Sequence, residues 1–174
     1  MEEALNLRYD CSKMEWEWEY EGRKYQQDIS DIEYAYVQGN YIYAEIYKNG
    51  RSCYYYISID NTKLISYDGD NKQILIDGEP AVVFEKKPYG IDINDDGCMY
   101  VLVNDVEMRL YDENGKYKNS IMSPKDYKYF RFFSIQDGIS VICQGGIGNA
   151  DRYGRNDWKF KYNDGTWTKE GLAY

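Results

Sequence analysis

Histidine is absent from the 174 residues. That removes the commonest general base and the Ser-His and Cys-His arrangements, and leaves the usual zinc geometries little to build on. Cysteine is sparse: residues 11, 53, 98 and 143 stand 42, 45 and 45 positions apart and form no C-x-x-C pair. Free thiols in a reducing compartment are the simplest reading. No apolar run approaches the roughly 20 residues of a spanning helix, so no membrane association is expected. The opening "MEEALNLRYDC" has no basic region followed by an apolar stretch, so no signal peptide is expected. A cytoplasmic location follows, or an extracellular one had a leader been removed. Basic side chains are the minority, 21 against 30 acidic, for a net charge of −9. Such a polyanion repels DNA and RNA, whereas a basic protein partner suits it. A sustained 3.6-residue apolar stripe is also missing, which argues against long helices.

What is present is tyrosine, 21 copies, beside only three prolines. Aromatic side chains suit a pleated, half-buried surface, so the bias favours strands. "NYIYAEIYKNGRSCYYYISID" (40–60) is two β-rich runs around Asn49-Gly50, a strong hairpin dipeptide. Further turns are predicted at Asn114-Gly115, Asp137-Gly138 and Asp164-Gly165. The runs recur in order. First strands read "IEYAYVQ", "YGIDIND" and "YFRFFSIQ"; second strands "YIYAEIY", "CMYVLVN" and "ISVICQ"; third strands "CYYYISI", "EMRLYD" and "WKFKY". Gly97 and Gly138 close the same turn 41 residues apart, a blade-like period. Gly39 and Gly97 are 58 apart because a hairpin-like stretch, 72–87, intervenes. "WEWEYEGRKYQQ" (16–27) parallels "WKFKYNDGTWTK" (158–169). The expected fold is an all-β, propeller-like array of three to four antiparallel four-stranded units, a small or incomplete β-propeller. It forms one domain over 1–174, with a partial unit at 1–30 and units at about 31–71, 86–124 and 125–174.

One stretch carries a family resemblance. Residues 86–121 combine Pro88, a "GIDI" strand, a "DDG" turn, a "YVLV" strand and the closing "RLYDENGKY". This resembles a single blade of the NHL-type β-propeller repeat; the other units match it loosely. The resemblance implies a propeller blade. Such repeats usually come in sixes, more than this chain houses.

Three features are candidate sites. In "MEWEWEYEG" (14–22), strand alternation puts Trp16, Trp18 and Tyr20 on one face and Glu15, Glu17 and Glu19 on the other. The glutamates are candidate partner contacts. Lys159 and Lys161 alternate in the matching C-terminal strand, so the two terminal segments are expected in one sheet or in touching ones, with Glu17 and Glu19 near those lysines. The second feature, "DINDDG", sets Asp92, Asn94 and Asp96 before Gly97 like the start of a calcium loop, but position twelve is Val103 instead of Glu. No metal is therefore assigned, and Asp92, Asn94 and Asp96 stay a half-formed calcium motif. The third is "GGIGNADRYGRND" (145–157), long for a connection without strand character. It offers Arg152, Tyr153 and Arg155 to a partner.

Acidic residues cluster in turns, where Asp serves backbone geometry, so paired-carboxylate catalysis has no focus. The expected function is a non-catalytic protein-interaction module without cofactor, such as an inhibitor or immunity-type protein for a basic partner. An alternative is a glycan or small-ligand binder stacking its ligand on Tyr41, Tyr43, Tyr153 and Trp167. The third is a structural domain that homodimerises through uncovered edge strands.

Overall fold

The computed structural model describes residues 5–10, 15–29, 31–68 and 70–173. They are all-β: seventeen strands and one 3-10 turn, with no α-helix among the described residues. No helix there is long and apolar enough to cross a membrane. The chain divides into two compact units, Met1–Lys87 and Pro88–Tyr174.

The first unit holds two antiparallel sheets. One has three strands: β1 (Leu5–Asp10), β2 (Glu15–Tyr20) and β3 (Arg23–Gln27). The other has six: β4 (Ile32–Gln38), β5 (Tyr41–Lys48), β6 (Arg51–Ser58), β7 (Leu64–Asp68), β8 (Gln73–Ile76) and β9 (Glu79–Val83). Each strand pairs with its sequence neighbour, so both sheets are meanders. The tight turns explain this. Glu21-Gly22, Asn49-Gly50 and Asp77-Gly78 all hold two successive positive φ angles, which matches the twist of hairpin strands and which glycine adopts without strain. The hairpin-like stretch 72–87 supplies β8 and β9, widening the second sheet from four strands to six.

The alternation in "WEWEY" decides how these sheets meet. Trp16 and Trp18 are buried while Glu17 is exposed. The two indoles pack on Ile32, Ala35, Ile42, Ala44, Ile46 and Ile57 of the six-stranded sheet and on Ile59 in its β6–β7 loop. Burying an indole is among the largest single contributions a side chain makes, about 3–5 kcal/mol by truncation to alanine.

The second unit holds two four-stranded meanders. They are β10 (Gly90–Ile93), β11 (Met99–Leu102), β12 (Glu107–Tyr111) and β13 (Tyr117–Met122), then β14 (Tyr127–Ser134), β15 (Ile139–Gly145), β16 (Asp157–Asn163) and β17 (Thr166–Leu172). Leu102, Met108 and Ile121 of the first pack against Tyr129, Val141, Cys143 and Phe160 of the second. Polar groups join the sheets at their margins. The Tyr129 hydroxyl donates to the Ile121 carbonyl at 3.0 Å, the Trp167 indole to Met122 O at 2.8 Å, and the Gln136 amide to Ile93 O at 3.0 Å.

One expectation, that the two terminal segments share a sheet, changes here. The strand with the glutamate row and the strand with Lys159 and Lys161 belong to different sheets. Each finds opposite charge inside its own: Lys24 faces Glu19 at 3.8 Å, and Lys159 faces Glu170 at 3.0 Å. Cross-strand neighbours are closer than any strand elsewhere, so charge is compensated locally. Cys53, Cys98 and Cys143 are free thiols, while Cys11 lies outside the described residues.

Candidate interaction surfaces

Alternation leaves the six-stranded sheet with a second face, and tyrosine fills it. Tyr34 and Tyr36 of β4, Tyr43 of β5, Tyr54 and Tyr56 of β6 and Tyr67 of β7 form a continuous row. Ring centroids are 5.4 Å apart for Tyr34–Tyr36, 5.1 Å for Tyr36–Tyr43, 5.2 Å for Tyr43–Tyr56 and 6.0 Å for Tyr54–Tyr67. Register puts them there: Tyr36 pairs with Tyr43, Tyr43 with Tyr56 and Tyr54 with Tyr67. One end of the row is buried, at Tyr56 and Tyr67, and the other is open, with Tyr34 53% exposed; Tyr47, two residues beyond Glu45 on β5, is 52% exposed.

Glu45 sits within this row, opposite Tyr34 and Tyr54. The Tyr43 hydroxyl donates to its Oε2 at 3.3 Å. Burial, with the Glu45 charge next, raises Tyr43 far above the ordinary phenol range and lifts Tyr54 as well. Burial also pushes Tyr67 up to about 12, and its hydroxyl has no hydrogen-bond partner. These three phenols therefore stay protonated at neutral pH, and the surface combines aromatic rings with the Glu45 carboxylate.

The glutamate row of β2 is a different surface. Glu17 lies opposite Arg8 on one side and Gln26 on the other. Glu19 accepts from Asn6 Nδ2 at 3.2 Å and meets Lys24. These side chains, with Trp18, line a hollow of about 70 Å³, too small for more than a few waters. The row is therefore partly neutralised by its own sheet, in exposed pairs each worth about 0–1 kcal/mol. The Glu15 side chain lies outside the described residues.

The 145–157 connection is built, not slack. Asn156 Nδ2 donates to Gly145 O at 2.8 Å, the Trp158 indole to Asn149 O at 2.8 Å, and Asn149 Nδ2 to Asp126 O at 3.2 Å. Asp151 Oδ1 accepts the Tyr153 and Arg155 N–H groups, both at 2.9 Å. Its Oδ2 takes Arg155 Nη2 at 2.7 Å and Nε at 2.9 Å. Arg155 thereby holds the Asp151 carboxyl below the usual range, and its own charge is paired with that carboxylate on the exposed surface. Tyr153 remains 66% exposed with the Arg152 guanidinium 4.6 Å from its ring centre, and Ile147 is 98% exposed.

The stacking candidates fall in both units. Tyr41 is buried, offering no open ring, and Tyr43 is half-buried inside the row. Both belong to the first unit, and Tyr153 and Trp167 to the second. Trp167 is held between Tyr129 and Tyr162, at 5.9 and 4.9 Å, as a strut. The half-formed calcium motif has another use for its oxygens: Asn94 Oδ1 accepts Asp96 N at 3.1 Å and Cys98 N at 2.9 Å. Asp112 closes its turn in the same way, accepting Asn114 N at 2.9 Å and Lys116 N at 2.8 Å. Three turns thus share one form, an Asx side chain at the first position and a positive-φ glycine (Gly97, Gly115, Gly154) at the fourth. Among the described residues, no group of three or more Cys, Asp or Glu is placed to hold a metal.

The tyrosine row as a surface escaped the sequence reading, although a signal for part of it exists. Two-residue turns at Gly39-Asn40 and Asn49-Gly50 dictate the pairing of β4 with β5 and of β5 with β6, which stacks Tyr36, Tyr43 and Tyr56. No known family model matches the chain, and no curated protein matches it.

Proposed function

We propose that the chain is a non-catalytic protein-interaction module that binds a basic partner through the open end of the tyrosine row. The single observation that carries this reading is the set of exposed Tyr34, Tyr36 and Tyr47 rings around Glu45. Tyrosine supplies contact area at low entropic cost. Its ring faces attract lysine and arginine heads, by about 0.5–2 kcal/mol each as desolvation proceeds. The net charge of −9 speeds encounter with a cation. An inhibitor or immunity-type protein facing a cationic toxin or nuclease has this chemistry. The four meander sheets support a propeller-like reading of the scaffold, as does the blade resemblance of 86–121.

The test is capture from an extract of the native host, with wild type and the Tyr34→Ala/Tyr36→Ala double variant as baits. The expected result is a basic protein retained by the wild type, lost from the variant and released by about 0.5 M salt, where screening lengths fall to a few ångströms. An acidic partner, or one indifferent to both salt and variant, overturns the proposal. A self-associating structural domain predicts instead that sedimentation rises with concentration before any partner is added.

A further inference from the structure

The second unit carries a cleft of its own. Its volume is about 540 Å³, and it is lined by Tyr89, Asp105, Lys128, Tyr129, Phe130 and Gln144. That size lies within the roughly 300–1,000 Å³ of small-molecule sites. Tyr89 and Phe130 are 60% and 52% exposed, and buried Tyr129 adds a third ring.

The polar members are held in place. Tyr89 N donates to Leu102 O at 2.7 Å, and Tyr129 N to Asp105 O at 2.6 Å. Asn104 Oδ1 accepts Val106 N at 2.9 Å and Glu107 N at 2.8 Å, fixing the turn that carries Asp105. The Asp105 carboxylate meets Lys128 Nζ at 2.6 Å, and Gln144 Nε2 donates to Asp157 Oδ1 at 3.0 Å.

Charge selects the ligand. Asp105 and Lys128 cancel, and the remaining lining residues are neutral. A cationic ligand would lose water without meeting a spare carboxylate, and an anionic one without meeting a spare ammonium; either loss is costly. A neutral ring rich in hydroxyls suits the site: its apolar face covers an aromatic ring while its hydroxyls exchange hydrogen bonds with a carboxylate, an ammonium and an amide. From this we infer that the Tyr89–Phe130 cleft binds an uncharged oligosaccharide.

Calorimetric titration tests this with cellotetraose, maltotetraose and chitotetraose, and with a chitosan tetramer and a tetragalacturonate as charged counterparts. At least one neutral tetramer is expected to bind with an affinity insensitive to salt. Tyr89→Ala and Phe130→Ala should each weaken it about tenfold, while Tyr34→Ala/Tyr36→Ala leaves it unchanged. Both cleft rings are more than half exposed, so unaltered melting curves should accompany the loss. In the wild type, NMR shifts on titration should fall on Asp105, Lys128 and Gln144, independently of any variant. Failure of every neutral tetramer to bind, tighter binding of a charged one, or full affinity in both cleft variants overturns the inference.

Discussion

The indole N–H of Trp18 donates to the backbone carbonyl of Ile59 at 2.7 Å, across 41 residues of sequence, while the indole N–H of Trp16, equally buried two residues earlier, has no partner. The pair forms a natural control. Trp16→Phe and Trp18→Phe remove the same atoms from one core, but only the second strands a carbonyl. Trp18→Phe should therefore be the more destabilising by about 1–3 kcal/mol. Urea midpoints of the two variants measure the difference.

Gly145 is closely overlaid. A methyl group there would lie 2.6 Å from Asn149 Cβ and 2.9 Å from Tyr127 Cε1, whereas at Gly146 it would meet nothing within 4 Å. Gly145→Ala should cost about 1–3 kcal/mol through overpacking, and Gly146→Ala a few tenths at most. Thermal melts of both variants give the comparison.

Alkali should unfold the protein in step with tyrosine ionisation. Burial raises Tyr43, Tyr54 and Tyr129 above the ordinary phenol value and Tyr67 to about 12. A folded state that holds a proton the unfolded chain releases is fully stabilised below the unfolded pKa of about 10 and loses that stability as pH rises through the folded value. Denaturant midpoints should be flat up to about pH 9 and then fall. Because the buried Tyr67 hydroxyl has no partner, Tyr67→Phe should be neutral or stabilising at pH 7 and should reduce the alkaline loss.

The Asp151 turn should hold against acid until the pH falls below the ordinary Asp range. Its carboxyl is depressed by Arg155 and by two backbone N–H groups, so its contribution is complete above the ordinary Asp value of about 3.9 and is lost as pH falls through the lower folded value. The Tyr153 and Arg155 amide resonances should move in one transition centred below the usual Asp range. Asp151→Asn should abolish that transition.

Much of this architecture could be read from local patterns. The run "IEYAYVQ" coincides with β4, "YIYAEIY" falls within β5, and "WEWEYEGRKYQQ" covers β2 from its second residue and all of β3. Alternation and turn dipeptides act over a few residues, so their message survives without a folded context. The sites were less legible. Arg155 reads as an unpaired cation offered to a partner, but Asp151, four residues back, already pairs with it. Asn94 reads as a ligand, but two N–H groups of its own turn occupy its oxygen. Several oxygens can compete for one donor, and a linear pattern does not rank them.

By itself, then, the sequence determined the strands, the hairpins that pair neighbours, and which residues share a face, because period and turn chemistry are properties of short segments. Only the tertiary structure decided that 72–87 would extend a sheet, that Trp18 rather than Trp16 would find a carbonyl, and that the tyrosine row would be buried at Tyr67 and open at Tyr34. Those outcomes depend on what lies opposite a residue in space, and burial and hydrogen bonding are assigned there.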